Sequence, residues 1–419
     1  MNRALLGRPR WPRLALVFFC LVAVVGTLIG SRGGPYRFFE ELDPQNASHV
    51  CFDGRQPRLM CDFAQVYYPQ GVSLRGGGEA VSGFYYSPFF GFGMRVLAEL
   101  PFGYARLVWF AIVLSAVAVV VSLPALLGIL DTRRALLVYA LALGTSLPLL
   151  HDLLYGQVSS ILLALIGGSF VAYQRQRRLP AALLLGLATA IKFYPGLFAI
   201  YYLARRDWRS TLHFAVTVLS GVVLIPWLFF GGHGYLTFVA SIARNWTQLQ
   251  HHLQGTPYSN AAVTVLSVAG RLWFGWGDGA HALAVAVSAS VAFALLLLMV
   301  RSGRRADAVS GLLLGLALLP FVVRSCWVHY FVFLPLLQAH VLRASRASGS
   351  SPALRWSGLL GALISAALLS YPYFRLVGDA DSYYRAGFPF WATLALLPAL
   401  GLTQFGPRSV AFAGPGPRP

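Results

Sequence analysis

A single lysine, Lys192, stands among the chain's 33 lysines and arginines, in the run Ala190-Ile191-Lys192-Phe193-Tyr194-Pro195-Gly196, with no other charge between Arg178 and Arg205. An ammonium inside an apolar stretch is costly, which makes it a functional-site candidate whose natural partner is an anion. A carboxylate with aromatic company lies elsewhere, in Cys61-Asp62-Phe63-Ala64-Gln65-Val66-Tyr67-Tyr68, followed after Gly76–Gly78 by Phe84-Tyr85-Tyr86-Ser87-Pro88. Asp62 bordered by Tyr67, Tyr68 and Tyr85 offers what a sugar-handling site needs: a general base for a hydroxyl, and aromatic faces and phenols to hold a ring. The same pattern also fits a solvated acid on an interfacial helix with an aromatic belt.

Further polar residues sit at the ends of apolar runs. His151-Asp152-Leu153-Leu154-Tyr155-Gly156-Gln157 lies between two of them, where His and Asp either cap a helix or join a site. Arg324-Ser325-Cys326-Trp327-Val328-His329-Tyr330 opens a later run. Arg324 and His329 suit a phosphate and Trp327 a sugar ring, and the trio equally suits an interfacial anchor. Arg244-Asn245-Trp246, His251-His252 and Ser259-Asn260 add groups fitted to an acceptor's hydroxyls. No metal motif is present, since adjacent histidines point apart on a helix and no Cys pair has zinc spacing. The glycines at 76–78 and 275–279 follow no strand, so nucleotide fingerprints are absent and no cofactor is expected.

The elements that must position these residues are membrane helices. With 57% hydrophobic and 11% charged residues, the chain cannot hide its apolar faces from water, and a polytopic all-α membrane protein is expected. Runs able to cross about 30 Å of hydrocarbon fall near Leu14–Gly30, Tyr104–Leu130, Ala135–Leu150, Val158–Tyr173, Thr211–Gly231, Ala280–Val300, Ala306–Val322, Val328–Leu342, Trp356–Tyr371 and Phe388–Leu402. The first follows four arginines but lacks a small-residue cleavage site, so it reads as an uncleaved span. The formal charge of +19 is carried by short arginine clusters between runs, which sets membrane orientation and gives no basic face for nucleic acid.

If every run crosses once, all these clusters lie on the side of the basic N-terminus, and both termini are cytoplasmic. The segment Leu179–Leu203 is the exception, because arginines flank it at both ends. Either it is a kinked span with a snorkelling lysine, or it is a broken helix pair that enters, turns at Lys192–Pro195 and returns. In the second case Lys192 lies at the tip of a re-entrant hairpin facing a cavity. Only Asp131, Asp207 and Asp307 of the 14 acids then fall inside. The outer face has a first loop over 31–103, a second over 232–279 and a shorter one near Tyr373–Gly387. Cys51 and Cys61 share the first loop, on the oxidising side where a disulfide is permitted. Residues 1–404 read as one integral membrane domain and 405–419 as a disordered cytoplasmic tail.

The order of these motifs resembles glycosyltransferase family 87, in the glycosyltransferase C superfamily. The resemblance rests on Asp-Phe-x-x-x-Tyr-Tyr from Asp62, Tyr-x-Ser-Pro at Tyr85, Gly156-Gln157, Lys192-x-x-Pro195 before an Arg-Arg-x-Trp loop, and Trp327-x-His329-Tyr330. It implies a membrane glycosyltransferase with a polyprenyl-phosphate sugar as donor, mannose before arabinofuranose, and a glycolipid or cell-envelope glycan as acceptor. The site would face outward from a bacterial inner membrane, among membrane lipids. Asp62 matches the family's catalytic aspartate, and Gln157, Lys192 and His329 match its other positions. The mechanism implied is inverting displacement, with Asp62 as base, Lys192, His329 and Arg324 meeting the leaving phosphate, and Tyr67, Tyr68, Tyr85, Gln157, Trp327 and Asn260 handling sugar or acceptor. Ser259-Asn260-Ala261-Ala262 and Arg324-Ser325-Cys326-Trp327 depart from the family pattern. A transporter of lipid-linked sugars is the competing class, and it should show a second interrupted helix in the later half.

Overall fold

The computed structural model describes residues 60–253, 278–323, 326–378, 382–383 and 386–405. Within them the chain is helical with no β-strand, and Ser146 and Ser370 form an isolated bridge. A π-helical turn, Phe63–Tyr67, leads into α1 (Tyr68–Arg75) and then α2 (Pro88–Leu97). Next come α3 (Phe102–Leu126), α4 (Arg133–Gly144), α5 (Leu147–Tyr155), α6 (Ser159–Gln174) and α7 (Arg178–Ile191). A 3-10 turn (Tyr194–Phe198), α8 (Ala199–Ala204), α9 (Trp208–Leu219), a second π turn (Ser220–Leu224) and α10 (Ile225–Leu253) follow. The remainder is α11 (Asp278–Arg304), α12 (Ala308–Val322), a 3-10 turn (Val328–Phe333), α13 (Leu334–Arg346), α14 (Pro352–Leu369), α15 (Tyr371–Val377), α16 (Phe388–Leu394) and α17 (Leu397–Thr403).

Four stretches are long and apolar enough to cross a bilayer: α3, Trp208–Gln248, Val285–Arg304 and α14. The pair α5 and α6, bent by 115°, makes a fifth if it counts as one span. The predicted runs are therefore not each one long helix. Pro148, Pro335, Pro389 and Pro398 sit in the first turns of α5, α13, α16 and α17. There a missing N–H is harmless, but a continuous helix through the position is blocked. The run Leu14–Gly30, residues 31–59 of the first loop and residues 406–419 lie outside the described residues. Phe405, at the start of the expected tail, has its ring under the Arg301 guanidinium at 4.7 Å.

The segment around Lys192 is broken, and its ends meet. Helix α7 rises about 21 Å from Arg178 and stops at Lys192, whose backbone is extended (φ −147°, ψ 135°). The 3-10 turn and α8 travel back about 19 Å. Arg178 Nε then lies 3.3 Å from Asp207 Oδ2, closing the mouth of the hairpin. The break falls at Lys192 itself and not at the residue before Pro195, because Pro195 is absorbed into the start of the 3-10 turn. Small residues let α7 pack closely on α9 and the second π turn: a side chain on Gly186 would meet Thr217 Cβ at 2.6 Å, and one on Gly221 would meet Ala190 Cβ at 2.7 Å.

Arginine-rich turns collect at this end of the bundle. Tyr173 and Ser210 hydroxyls also bond Asp207 Oδ2, each at 2.9 Å. Gly303 abuts Ala204, and Arg305 Nη1 donates to Gln404 O at 2.8 Å. Helix α6 starts at the far end and runs about 24 Å toward Arg175, so Gln157 and Lys192 share the end opposite the Arg178–Asp207 closure.

Candidate active site

The site is built around the end of α5. Gly156 adopts the left-handed conformation (φ 66°, ψ 37°), and Gln157 N donates to Asp152 O at 2.9 Å, the closing bond of a Schellman turn. Met60 N donates to Leu154 O at 2.5 Å, while the Trp109 indole donates to Gly156 O at 2.8 Å. A side chain at Gly156 would press on Met60 Cβ at 3.1 Å. The chain entering Asp62 is thereby laid directly over the Gly156-Gln157 turn.

Gln157 joins the parts. Its Nε2 donates to Asp62 Oδ2, and its Oε1 accepts from the hydroxyls of Tyr67 and Tyr86, each at 3.0 Å. The two phenols also hydrogen-bond each other. Asp62 and Tyr67 are five residues apart, which on an α-helix would turn them about 140° from one another. The π turn, with Tyr68 N bonded to Phe63 O, brings both onto one face. Tyr67 is fixed further by edge contacts with Phe90 and Trp109, at 5.1 and 5.7 Å between ring centroids.

Lys192 borders this network. Its Nζ lies 4.7 Å from the Tyr86 ring centroid and 4.3 Å from that of Tyr330, a cation between two aromatic faces. The clamp is Ser87, which accepts from Phe90 N at 3.3 Å as the cap of α2 and donates to Ala190 O at the end of α7. Burial pushes the Asp62 carboxyl up from 3.8 to about 7, against the opposing charge of Lys192 and the hydrogen bond from Gln157. Burial also raises both phenols, so Tyr67 and Tyr86 stay protonated.

His329 completes a third side. It is buried, its ring stacks on His151 at 5.4 Å, and its Nδ1 has no hydrogen-bond partner among the described residues. Trp327 precedes it at the cap of the 3-10 turn, partly buried against the core.

Other candidates have different positions. Tyr68 donates to Leu100 O at 3.0 Å, outside the Asp62 network, and Tyr85 packs on Trp246 at 5.4 Å. Asp152, read as either a cap or a site residue, is a cap: its carboxylate accepts from Ser159 N and Ser160 N, both at 3.1 Å, at the start of α6. Residues of the second loop strap down the first, among them Arg244 and Asn245, which the sequence offers for an acceptor's hydroxyls. Asn245 Nδ2 donates to Val81 O at 2.7 Å, Ser241 Oγ accepts from Ala80 N at 2.8 Å, and Arg244 pairs with Glu79. Cys61 is disulfide-bonded; Cys51, its expected partner, lies outside the described residues, as do Arg324 and Asn260. Sequence reasoning missed Tyr86. The signal was Ser87-Pro88, a helix-start pair that fixes the residue before it.

Three curated relatives are similar over part of the chain. A polyprenol-phosphate-mannose-dependent alpha-(1-2)-phosphatidylinositol pentamannoside mannosyltransferase of Mycolicibacterium smegmatis is 33% identical over 150 residues, 35% of each chain. A polyprenol-phosphate-mannose-dependent alpha-(1-2)-phosphatidylinositol mannoside mannosyltransferase of Mycobacterium tuberculosis is 36% identical over 81 residues, 18% of each. The protein of that same description from M. smegmatis is 36% identical over 72 residues, 17% of this chain and 16% of that one. The chain thus matches about a third or less of the length of these relatives. Residues 84–324 match the family model for glycosyltransferase family 87, a stretch that contains Tyr86, Gln157 and Lys192 and leaves Asp62 and His329 to either side. With more than half its length matched, the chain belongs to glycosyltransferase family 87.

Proposed function

We propose that this protein transfers mannose from polyprenyl-phosphate mannose to a glycolipid or envelope-glycan acceptor at the outer face of a bacterial inner membrane. The observation that carries the reading is the convergence of Asp62 and Lys192 on one site at the end of the bundle opposite the Arg178–Asp207 closure. By the positive-inside rule the arginine-rich end is cytoplasmic, and the site and the disulfide-bonded Cys61 are then outside. The mannose donor and the phosphatidylinositol mannoside type of acceptor come from the names of the relatives.

In this reading Asp62 takes the proton of the acceptor hydroxyl as its oxygen attacks the anomeric carbon. The bond from that carbon to the phosphate oxygen breaks, and its electron pair leaves on polyprenyl phosphate. That anion is stable, so no strong acid is required. Lys192, with its two aromatic neighbours, meets the phosphate charge, and His329 and Arg324 join it. One displacement inverts the anomeric centre. A carboxyl near pH 7 is poised as a base at neutral pH. The test is transfer of radiolabelled mannose from synthetic polyprenyl-phosphate mannose to membrane glycolipids by wild type and Asp62→Asn. Transfer that is lost in the folded variant supports the reading, and equal transfer by both removes Asp62 as base.

A further inference from the structure

The Gln157 amide is occupied on both edges. Its nitrogen edge faces Asp62 Oδ2 and its carbonyl accepts from two phenols at 3.0 Å, which leaves no open carbonyl edge for a sugar hydroxyl. Asp62 Oδ1, by contrast, has no hydrogen-bond partner among the described residues. We propose that Gln157 is a positioning residue for Asp62, its amide held in one orientation by the phenols of Tyr67 and Tyr86, so that Oδ2 is engaged and Oδ1 is left for the acceptor hydroxyl. The inference rests on Asp62 being the base.

The orientation follows from donor and acceptor counts. An ionised carboxylate only accepts, so the amide nitrogen must face Asp62 and the carbonyl must face the phenols. The phenols are the one ambivalent pair in the network, able to donate or accept, and their two protons fill two of the three contacts at a time. Once Asp62 has taken the acceptor's proton it becomes a donor. The same amide, turned over, then accepts from Asp62 and donates to the two phenol oxygens. Gln157 therefore supports Asp62 before and after proton transfer, which a fixed cation in its place would not do.

The experiment compares full-length wild type, Gln157→Leu and the double variant Tyr67→Phe/Tyr86→Phe in nanodiscs, with polyprenyl-phosphate mannose and a phosphatidylinositol mannoside. We expect kcat to fall about tenfold or more with KM nearly unchanged, and the ascending limb of kcat/KM to move up by about one pH unit as Asp62 loses its held donor. A raised KM with an unmoved limb would assign Gln157 to the sugar and overturn the inference. If Gln157→Leu does not fold, the double variant decides alone, since it keeps Gln157 and removes only what orients it. If wild type transfers nothing, the proposed function fails separately. The infrared carboxyl band lost in Asp62→Asn then decides for Gln157, its titration point moving in the variants or staying put.

Discussion

The ammonium of Lys192 stands 4.7 Å from the ring centroid of Tyr86, a residue of the first loop whose neighbour Ser87 grips the carbonyl of Ala190. Lys192 forms no ion pair among the described residues, so its charge is free for a ligand anion. A charge-assisted hydrogen bond to phosphate contributes about 1.5–3 kcal/mol. Lys192→Met should therefore raise the donor KM about tenfold or more. Tyr86→Leu should raise it severalfold by removing one cation–π face worth about 0.5–2 kcal/mol. Steady-state kinetics against donor concentration checks both, and an unchanged donor KM in Lys192→Met would separate the lysine from the phosphate.

Activity should climb with pH through about 7, because Asp62 in its proposed role as base must be ionised and burial holds its carboxyl there. Well below that point the rate should fall about tenfold per pH unit. The linked effect on stability has the opposite sense. A carboxyl whose folded pKa is raised from 3.8 to about 7 contributes stability that is fully present below 3.8 and lost as pH rises through about 7. Rate and melting temperature measured across pH 5 to 9 in one buffer series test the two signs together.

Gly156→Ala should damage the site more than its small size suggests. The added methyl enters a left-handed position and meets Met60 Cβ at 3.1 Å. The backbone cost alone is about 1–2 kcal/mol, and the Met60 segment must shift while carrying Asp62 with it. A lower melting temperature together with a fall in kcat is expected. A variant with wild-type kcat would show that Asp62 does not depend on this contact.

The closure of Arg178 on Asp207 predicts that both flanks of the Lys192 hairpin lie on one side of the membrane. Gln176→Cys and Arg209→Cys, both at exposed positions, should react with a membrane-impermeant thiol reagent in inside-out vesicles and resist it in right-side-out ones. Labelling from opposite sides would make the segment a single crossing.

Much of this site could be read from the chain because it rests on rare residues. A lone lysine in an apolar run, a Gly-Gln after a helix and an acid before paired tyrosines each break a local pattern, and Lys192, Gln157 and Asp62 lie in one network. What could not be read was register. Whether Tyr85 or Tyr86 faces inward depends on the cap at Ser87, and whether Tyr67 shares a face with Asp62 depends on a π turn that no residue pattern announces. The bonds that Arg244 and Asn245 make to the first loop could not be read for a related reason. Loop carbonyls at Val81 and Phe84 need donors, and sequence does not display unsatisfied backbone. Span counting was limited by proline, which ends helices at short lengths while leaving hydropathy intact.

The Ser87 clamp also imposes an order on assembly. Its partner carbonyl belongs to Ala190, 103 residues further along the chain, so during synthesis the first loop can meet Leu154 and Gln157 before the residue that fastens Ser87 has been made. Asp62 and Tyr67 can be seated on Gln157 while Tyr86 still lacks the clamp that sets it beside Lys192. A nascent chain halted before the hairpin would thus hold the Asp62 carboxylate without the cation that borders it.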